Sequence, residues 1–318
     1  MMTKSPSSIE LSILGHRCRA TNAPPAIEAW LRHCWQSTRP AWSDAAIDAT
    51  FLTTPPWTRA PTYEDVDITA LDGATLSWLR HGPRCWSTRN ASAGVELTLF
   101  GHRACIRAWD AEWSKLPRAD RATSTLLALH VAMCEALRGR GLVPLHAAVI
   151  ARGGRATALV GRAGVGKSST LIAALEAGWA PIAEDFAWLD PVTRQVFAWS
   201  GERGVRLRPD GLRRVPSSWS SAAWREERDG KLLLAYNQIP LPRLESAELT
   251  RIALIDRDAS RATAFEPLSA REAARAFWES AGVPLCRLNR EVFARRVPTL
   301  ISDLEWMRLT LGQGSPEL

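Results

Sequence analysis

The 318-residue sequence is short of several features, and each shortage excludes something. No apolar run approaches the roughly 18 residues of a membrane-spanning helix, so no membrane partner is expected. The opening stretch, MMTKSPSSIELSILGHRCRA, has no apolar core of the kind a secretory signal needs. Six cysteines (Cys18, Cys34, Cys85, Cys105, Cys134 and Cys286) are scattered without a CxxC pair, which argues against structural zinc and against a disulfide framework. The expectation is a reduced, soluble, cytoplasmic protein. Lysine is scarce as well: Lys4, Lys115, Lys167 and Lys231 stand against a basic total of 40. The net charge of +7 is therefore an arginine charge, without a block of five or six basic residues or an aromatic–basic RNA signature. Such a skew points to gene composition, and nucleic acid is not expected as a partner. In a chain so poor in lysine, each one that remains invites a question.

What is present suffices for a sizeable core: 46% hydrophobic and 23% charged residues, in one large domain or two unequal ones. The first 25 or so residues read as a loose arm or an edge strand, and 26–36 (AIEAWLRHCWQ) have helical spacing. A Pro-, Thr- and Trp-rich stretch from Arg39 to Pro61 is expected to break regular structure. From Tyr63 to Trp109 the pattern turns to period two, as in antiparallel strands. Residues 121–138 carry apolar positions three and four apart and meet a glycine stop, which predicts a helix. The boundary is expected near Pro117, giving a strand-rich N-terminal domain over 1–117 and a second domain over 118–318. Many of the 15 tryptophans fall in the first third. Filling core and edge positions of a small sheet is one reading of them, and a peptide-docking face is the other.

Chemistry enters at Gly161-Arg162-Ala163-Gly164-Val165-Gly166-Lys167-Ser168, followed by Ser169. This is G-x-x-x-x-G-K-[ST], preceded by the apolar run ATALV (156–160) and followed by a helical stretch to Ala177, the strand–loop–helix setting the motif requires. The glycines let the backbone bring N–H groups to phosphate oxygens at a helix N-terminus. Lys167 would neutralise the β- and γ-phosphates of ATP, and the Ser168 hydroxyl would join the shell of a magnesium ion. A plain glycine turn would not need the lysine. Downstream, Glu184-Asp185 lies between Ala180–Ala183 and the apolar Phe186–Leu189, an arrangement that is costly unless the acids meet a metal, a partner or solvent. Upstream, Leu145–Ile150 and Gly153-Gly154 form a hairpin into the loop strand, with His146 at its far end. Lys231 sits in a turn before a strand, free to reach a phosphate or simply exposed. Residues 268–278 and 291–304 read as helices, the second interrupted by Pro298, and Met307–Leu311 as a last strand.

Leu145-His146-Ala147-Ala148-Val149, the phosphate loop and Ala183-Glu184-Asp185, in that order, resemble the kinase domain of the HPr kinase/phosphorylase family and its relatives. Those relatives include kinases of lasso-peptide and other ribosomal-peptide clusters. The resemblance implies an α/β chain: a P-loop kinase domain of the HPr kinase/PEP-carboxykinase-like fold behind a smaller strand-rich docking or lid domain. It implies transfer of the γ-phosphoryl group of ATP to a serine of a ribosomally made precursor peptide or an HPr-like protein. The first of the paired acids, Glu184 here, would be the base, Asp185 would assist magnesium, and His146 would contact the base. Arg206, in Arg203-Gly204-Val205-Arg206, falls on the weak remnant of a later family motif. Two departures stand out: Glu184 replaces the family's usual aspartate, and Ser169 stands where true HPr kinases carry glutamate. The second puts the reverse, phosphorolytic reaction in doubt and favours the peptide-kinase branch. A small-molecule kinase of the same fold and a nucleotide-binding regulator without transfer are the alternatives, and a homo-oligomer is not excluded.

Overall fold

The computed structural model describes residues 7–37, 43–57, 65–71, 74–90, 93–100, 103–111, 124–202, 204–215, 224–227, 230–239 and 241–313. Two compact units emerge: residues 1–141 with 284–293, and residues 142–283 with 294–318. The boundary expected near Pro117 lies outside the described residues; the changeover falls at 141/142, so the helix expected to open the second domain belongs to the first unit.

The first unit is built on an eight-stranded sheet. Its strands are β1 (Ser8–Ile13), β2 (His16–Thr21), β3 (Ser43–Leu52), β4 (Asp65–Leu71), β5 (Ala74–His81), β6 (Arg84–Asn90), β7 (Ala93–Phe100) and β8 (Arg103–Asp110). They lie in the order β1-β2-β3-β8-β7-β6-β5-β4, so the N-terminal segment is an edge hairpin. Two helices belong with it, α1 (Pro25–Trp35) and α2 (Ser124–Arg138), and α2 packs on β7 and β8. β3 corrects the expectation of irregular chain over 39–61: Ile47, Ala49 and Phe51 alternate inward, and a period-two apolar face outweighs flanking breakers. β3 runs parallel to both β2 and β8, so it is an interior strand of the sheet, with Ile47, Ala49 and Phe51 buried. Trp30, Trp35, Trp78, Trp86 and Trp109 are all buried, which makes them core rather than a docking face.

The second unit starts with β9 (Val143–His146), β10 (Ala148–Arg152) and β11 (Arg155–Val160), then α3 (Lys167–Glu176), β12 (Ala180–Ala183), β13 (Phe186–Leu189) and β14 (Gln195–Ala198). β15 (Gly204–Leu207), β16 (Arg225–Glu226) and β17 (Leu232–Ala235) make a small sheet of their own, ordered β15-β17-β16. β18 (Ser246–Ala262), β19 (Ala264–Pro267), α4 (Ala270–Ala281), α5 (Arg287–Asp303) and β20 (Glu305–Gln313) complete the chain. The main sheet runs β12-β10-β11-β18-β14-β13-β9, with β20 and β19 added on β18. β18 is the spine: it runs parallel to β11 on one edge, while β14 and then β20 share the other. Leu171, Ile172 and Leu175 of α3 pack with Leu159, Leu234, Ala253, Ile255 and Leu309, which anchors the helix whose first turn carries the phosphate-loop motif. Pro298 does not interrupt its helix: α5 continues through it, at the loss of one intrahelical hydrogen bond to Ala294. Residues of α5 through Phe293 group with the first unit and the rest with the second. Among the described residues no helix is long and apolar enough to cross a membrane.

Candidate functional site

Three pieces of local geometry build the site within the second unit. The loop after β11 carries positive φ at Gly161 (147°) and Gly166 (121°), a region that side chains avoid. Space forbids a side chain at Gly161 as well, where a Cβ would come 2.9 Å from the Ile255 carbonyl oxygen; at Gly166 the end of the Leu311 side chain would have to move aside. Gly166 caps α3 without any side-chain hydrogen bond, and the first turn of α3 holds no acidic residue. The N–H groups and positive dipole end of the helix are thus turned to the loop without an anion of that helix in their way.

The two residues after the cap are Lys167 and Ser168. Lys167 is 7% exposed, and its ammonium donates to the carbonyls of Gly161 (2.8 Å) and Arg162 (3.2 Å), curling over the loop. Burial lowers its pKa, against the pull of Asp185 and Glu184. The Ser168 hydroxyl donates to Glu184 Oε1 at 2.5 Å. β12 ends at Ala183 and β13 begins at Phe186, so Glu184 and Asp185 form the link between two strands. Pairing fixes which side the link faces: Phe186 stands opposite His146 in the β9–β13 ladder, and the Asp185 carbonyl accepts the N–H of Ala147.

The two acids face different environments. Glu184 is 4% exposed; burial, with the neighbouring Asp185 charge, pushes its pKa up to about 7 against the Ser168 hydrogen bond and Arg206. Asp185 is 36% exposed and lies between His146 Nε2 (3.3 Å from Oδ1) and an Arg206 nitrogen (2.9 Å from Oδ2). Arg206 also reaches Glu184, at 3.4 Å. Burial lowers the His146 pKa, and Lys167, Arg206 and Lys231 add to that, so Lys231 belongs to the same charge cluster. Lys167, Ser168, Glu184, Asp185, His146, Arg206 and Lys231 therefore stand in one neighbourhood, while Arg203 lies outside the described residues. One expected contact is replaced. His146 meets Asp185 instead of Glu184, because the β9 register delivers it to the second acid.

The residue that sequence reading missed is Glu202. Its carboxylate accepts the backbone N–H groups of Glu184 (2.8 Å), Asp185 (2.7 Å) and Phe186 (3.2 Å), the Tyr236 hydroxyl (2.7 Å) and an Arg243 nitrogen (3.3 Å). No local pattern marks it; its partners come from three other segments. A separate cavity of about 660 Å³, between α4 and the later turns of α5, is lined by Trp278, Val297, Pro298 and Trp306 and by none of these residues.

Among the described residues no three His, Cys, Asp or Glu side chains gather as a metal cage. A magnesium ion needs no such cage, being held by one or two protein oxygens together with phosphate. The Glu184–Ser168 oxygen pair fits that role: hard donors in contact, with a buried carboxylate that the nearby Arg206 and Lys167 charges balance.

No family model and no curated protein matches the chain. Among solved structures, the HPr(Ser) kinase/phosphatase from Coxiella burnetii aligns over 53% of this chain and 85% of its own, with 10% sequence identity and a TM-score of 0.27. At that level the match is a distant structural neighbour and adds nothing to what the loop and the acids contribute themselves.

Proposed function

We propose that the protein is a kinase that moves the γ-phosphoryl group of ATP to a hydroxyl, with a serine on a peptide or small protein as the acceptor. The observation that carries the reading is the convergence of a complete phosphate loop with two acids in unlike surroundings. Loop N–H groups and Lys167 bind and orient the triphosphate. Ser168 and Glu184 would hold magnesium, which when bound neutralises charge on the β- and γ-phosphoryl oxygens. Asp185 is the carboxylate an incoming hydroxyl can reach. Its place between His146 and Arg206 fixes the orientation of both oxygens, so it accepts the hydroxyl proton as the acceptor oxygen bonds to phosphorus and the bond to the β-phosphate oxygen breaks. This division of labour is the reverse of the one the family resemblance implies: the buried acid serves the metal and the open acid serves the acceptor. Phosphoryl transfer rests on positioning and charge neutralisation, and both are supplied by residues within one unit.

The test is intact-mass analysis of serine-containing peptides encoded beside this gene, and of free serine, after incubation with ATP and magnesium. A gain of one phosphate on a peptide, lost in Lys167→Ala and in Asp185→Asn, supports the reading. A gain on free serine alone would make the protein a small-molecule kinase. Tight ATP binding with no transfer to any acceptor would make it a nucleotide-dependent regulator. Transfer that survives Asp185→Asn and fails in Glu184→Gln at saturating magnesium would return the base to Glu184.

A further inference from the structure

We propose that Glu202 is a positioning residue for the acid pair, acting through the backbone of the turn that presents Glu184 and Asp185. The inference rests on the reading of that pair given above. Glu202 is 9% exposed, and its carboxylate is turned to the acid turn, Tyr236 and Arg243. Its two carboxylate oxygens instead take three successive N–H groups, from Glu184, Asp185 and Phe186. Three consecutive amides converging on one anion leave the turn a single conformation, in which both side chains must leave on the other side. Glu184 then arrives at Ser168 and Asp185 at His146 and Arg206.

Glu202 is itself held. Tyr236 donates its hydroxyl, and Arg243 donates to the same carboxylate while stacking over the Tyr236 ring at 4.2 Å. The remaining Arg243 donors reach the carbonyls of Ile182 (3.0 Å), Trp199 (3.1 Å) and Glu202 (3.0 Å). The guanidinium thereby ties β12, just ahead of the acids, to the turn that carries Glu202. All five groups aimed at the Glu202 carboxylate are donors, so an acceptor-only side chain is required. An amide of equal size would set its own N–H₂ against backbone N–H groups and turn the link.

Full-length Glu202→Gln, Glu202→Asp and Leu300→Ala decide the matter. Leu300 is buried in the second-unit part of α5, outside the core that holds α3, Leu234 and Tyr236, so its variant loses stability without touching the acid turn and serves as the control. The measurements are kcat and KM for ATP in the transfer assay, the Kd of ATP by calorimetry with and without magnesium, and thermal melting. Glu202→Gln is expected to lower kcat by about 10- to 100-fold while KM for ATP stays within about threefold, because a displaced positioning shell loses alignment before it loses binding. Magnesium is expected to strengthen ATP binding in the wild type and to lose most of that gain in Glu202→Gln, with metal-free ATP binding unchanged. Glu202→Asp keeps the acceptor and should recover part of kcat and of the magnesium gain. Leu300→Ala should melt as early as Glu202→Gln and keep wild-type kcat. The proposal falls if Glu202→Gln keeps both kcat and the magnesium gain, or if Leu300→Ala loses them in proportion to its melting shift. Should Glu202→Gln fail to fold, the same comparison is made with Glu202→Asp, which overturns the proposal if it matches wild type in both readouts. If wild type binds ATP and transfers to nothing, the kinase reading fails alone, and the magnesium gain still tests Glu202.

Discussion

Glu135 in the first unit and Glu202 in the second are both almost fully buried, and each receives N–H groups from a segment elsewhere in the chain. Glu135 accepts the backbone N–H of Cys286 (3.1 Å) and the Asn289 side-chain amide (2.9 Å), with Arg138 beside it at 3.4 Å. Asn289 also donates to the Glu135 carbonyl, so the start of α5 is bound to α2 by one residue's side chain and backbone together. Glu202 binds a turn in the same manner, but its turn carries two further carboxylates. The first device ends in itself; the second, on the reading proposed above, orients the two acids for transfer. Their difference shows that a buried carboxylate says little about function until what it holds is known.

The sharpest way to break this comparison is kinetic. Asp185→Asn is expected to reduce transfer by roughly 10²- to 10³-fold in kcat, as loss of a preorganised polar group does, whereas Glu135→Gln should leave kcat unchanged. Stability comes next. Glu135→Gln is expected to destabilise the first unit by about 2–4 kcal/mol, since a buried amide replaces an acceptor that several donors need. Hydrogen exchange over 124–138 and 287–293 should accelerate while α3 stays protected. Unchanged exchange there would remove Glu135 from the comparison.

The units should also answer pH in opposite senses. The Glu184 pKa is raised to about 7 in the fold from an ordinary 4.5, so the stability it contributes is present at low pH and is lost as pH rises through 7. Glu184→Gln should therefore stabilise the second unit by roughly 2–3 kcal/mol at pH 8, where wild type carries the buried charge. In the first unit His130, stacked against Trp35, is held down to about 4 by burial. Its neutral form is native, so stability is full above 6.5 and falls as pH drops through the window to 4, by up to about 3 kcal/mol. Urea unfolding at pH 8, 7, 5.5 and 4.5, read by exchange in each unit, checks both signs. At the small end, Arg275→Ala removes an exposed pair with Glu279 and should change stability by less than about 0.5 kcal/mol.

What the sequence made legible follows from the range of the interactions concerned. The phosphate loop is local: eight consecutive residues state their own backbone conformation and chemistry, and the helix after them is equally local. The paired acids stood out because charge beside apolar strands is costly. Their different contacts did not, since the side of the turn that meets His146 is set by the pairing of β9 with β13, forty residues apart. Glu202, Arg243 and Tyr236 lie in separate segments and meet only in the fold. The β3 strand was hidden because its proline-rich neighbours were weighed against its alternation of Ile47, Ala49 and Phe51. The tie of the start of α5 to α2 runs through Asn289, more than 150 residues beyond Glu135.

That last tie bears on how the chain is made. A ribosome releasing this protein delivers the eight strands and α2 early, yet Glu135 has no Cys286 or Asn289 to meet until about 150 more residues have been added. At common synthesis rates of 5–20 residues per second this is a wait of roughly 8–30 s. During that wait Glu135 has Arg138 beside it but not the donors that arrive with Cys286 and Asn289. The residues of the first unit are thus complete only once 284–293 have been made, and a chain cut at Gly141 would lack that segment.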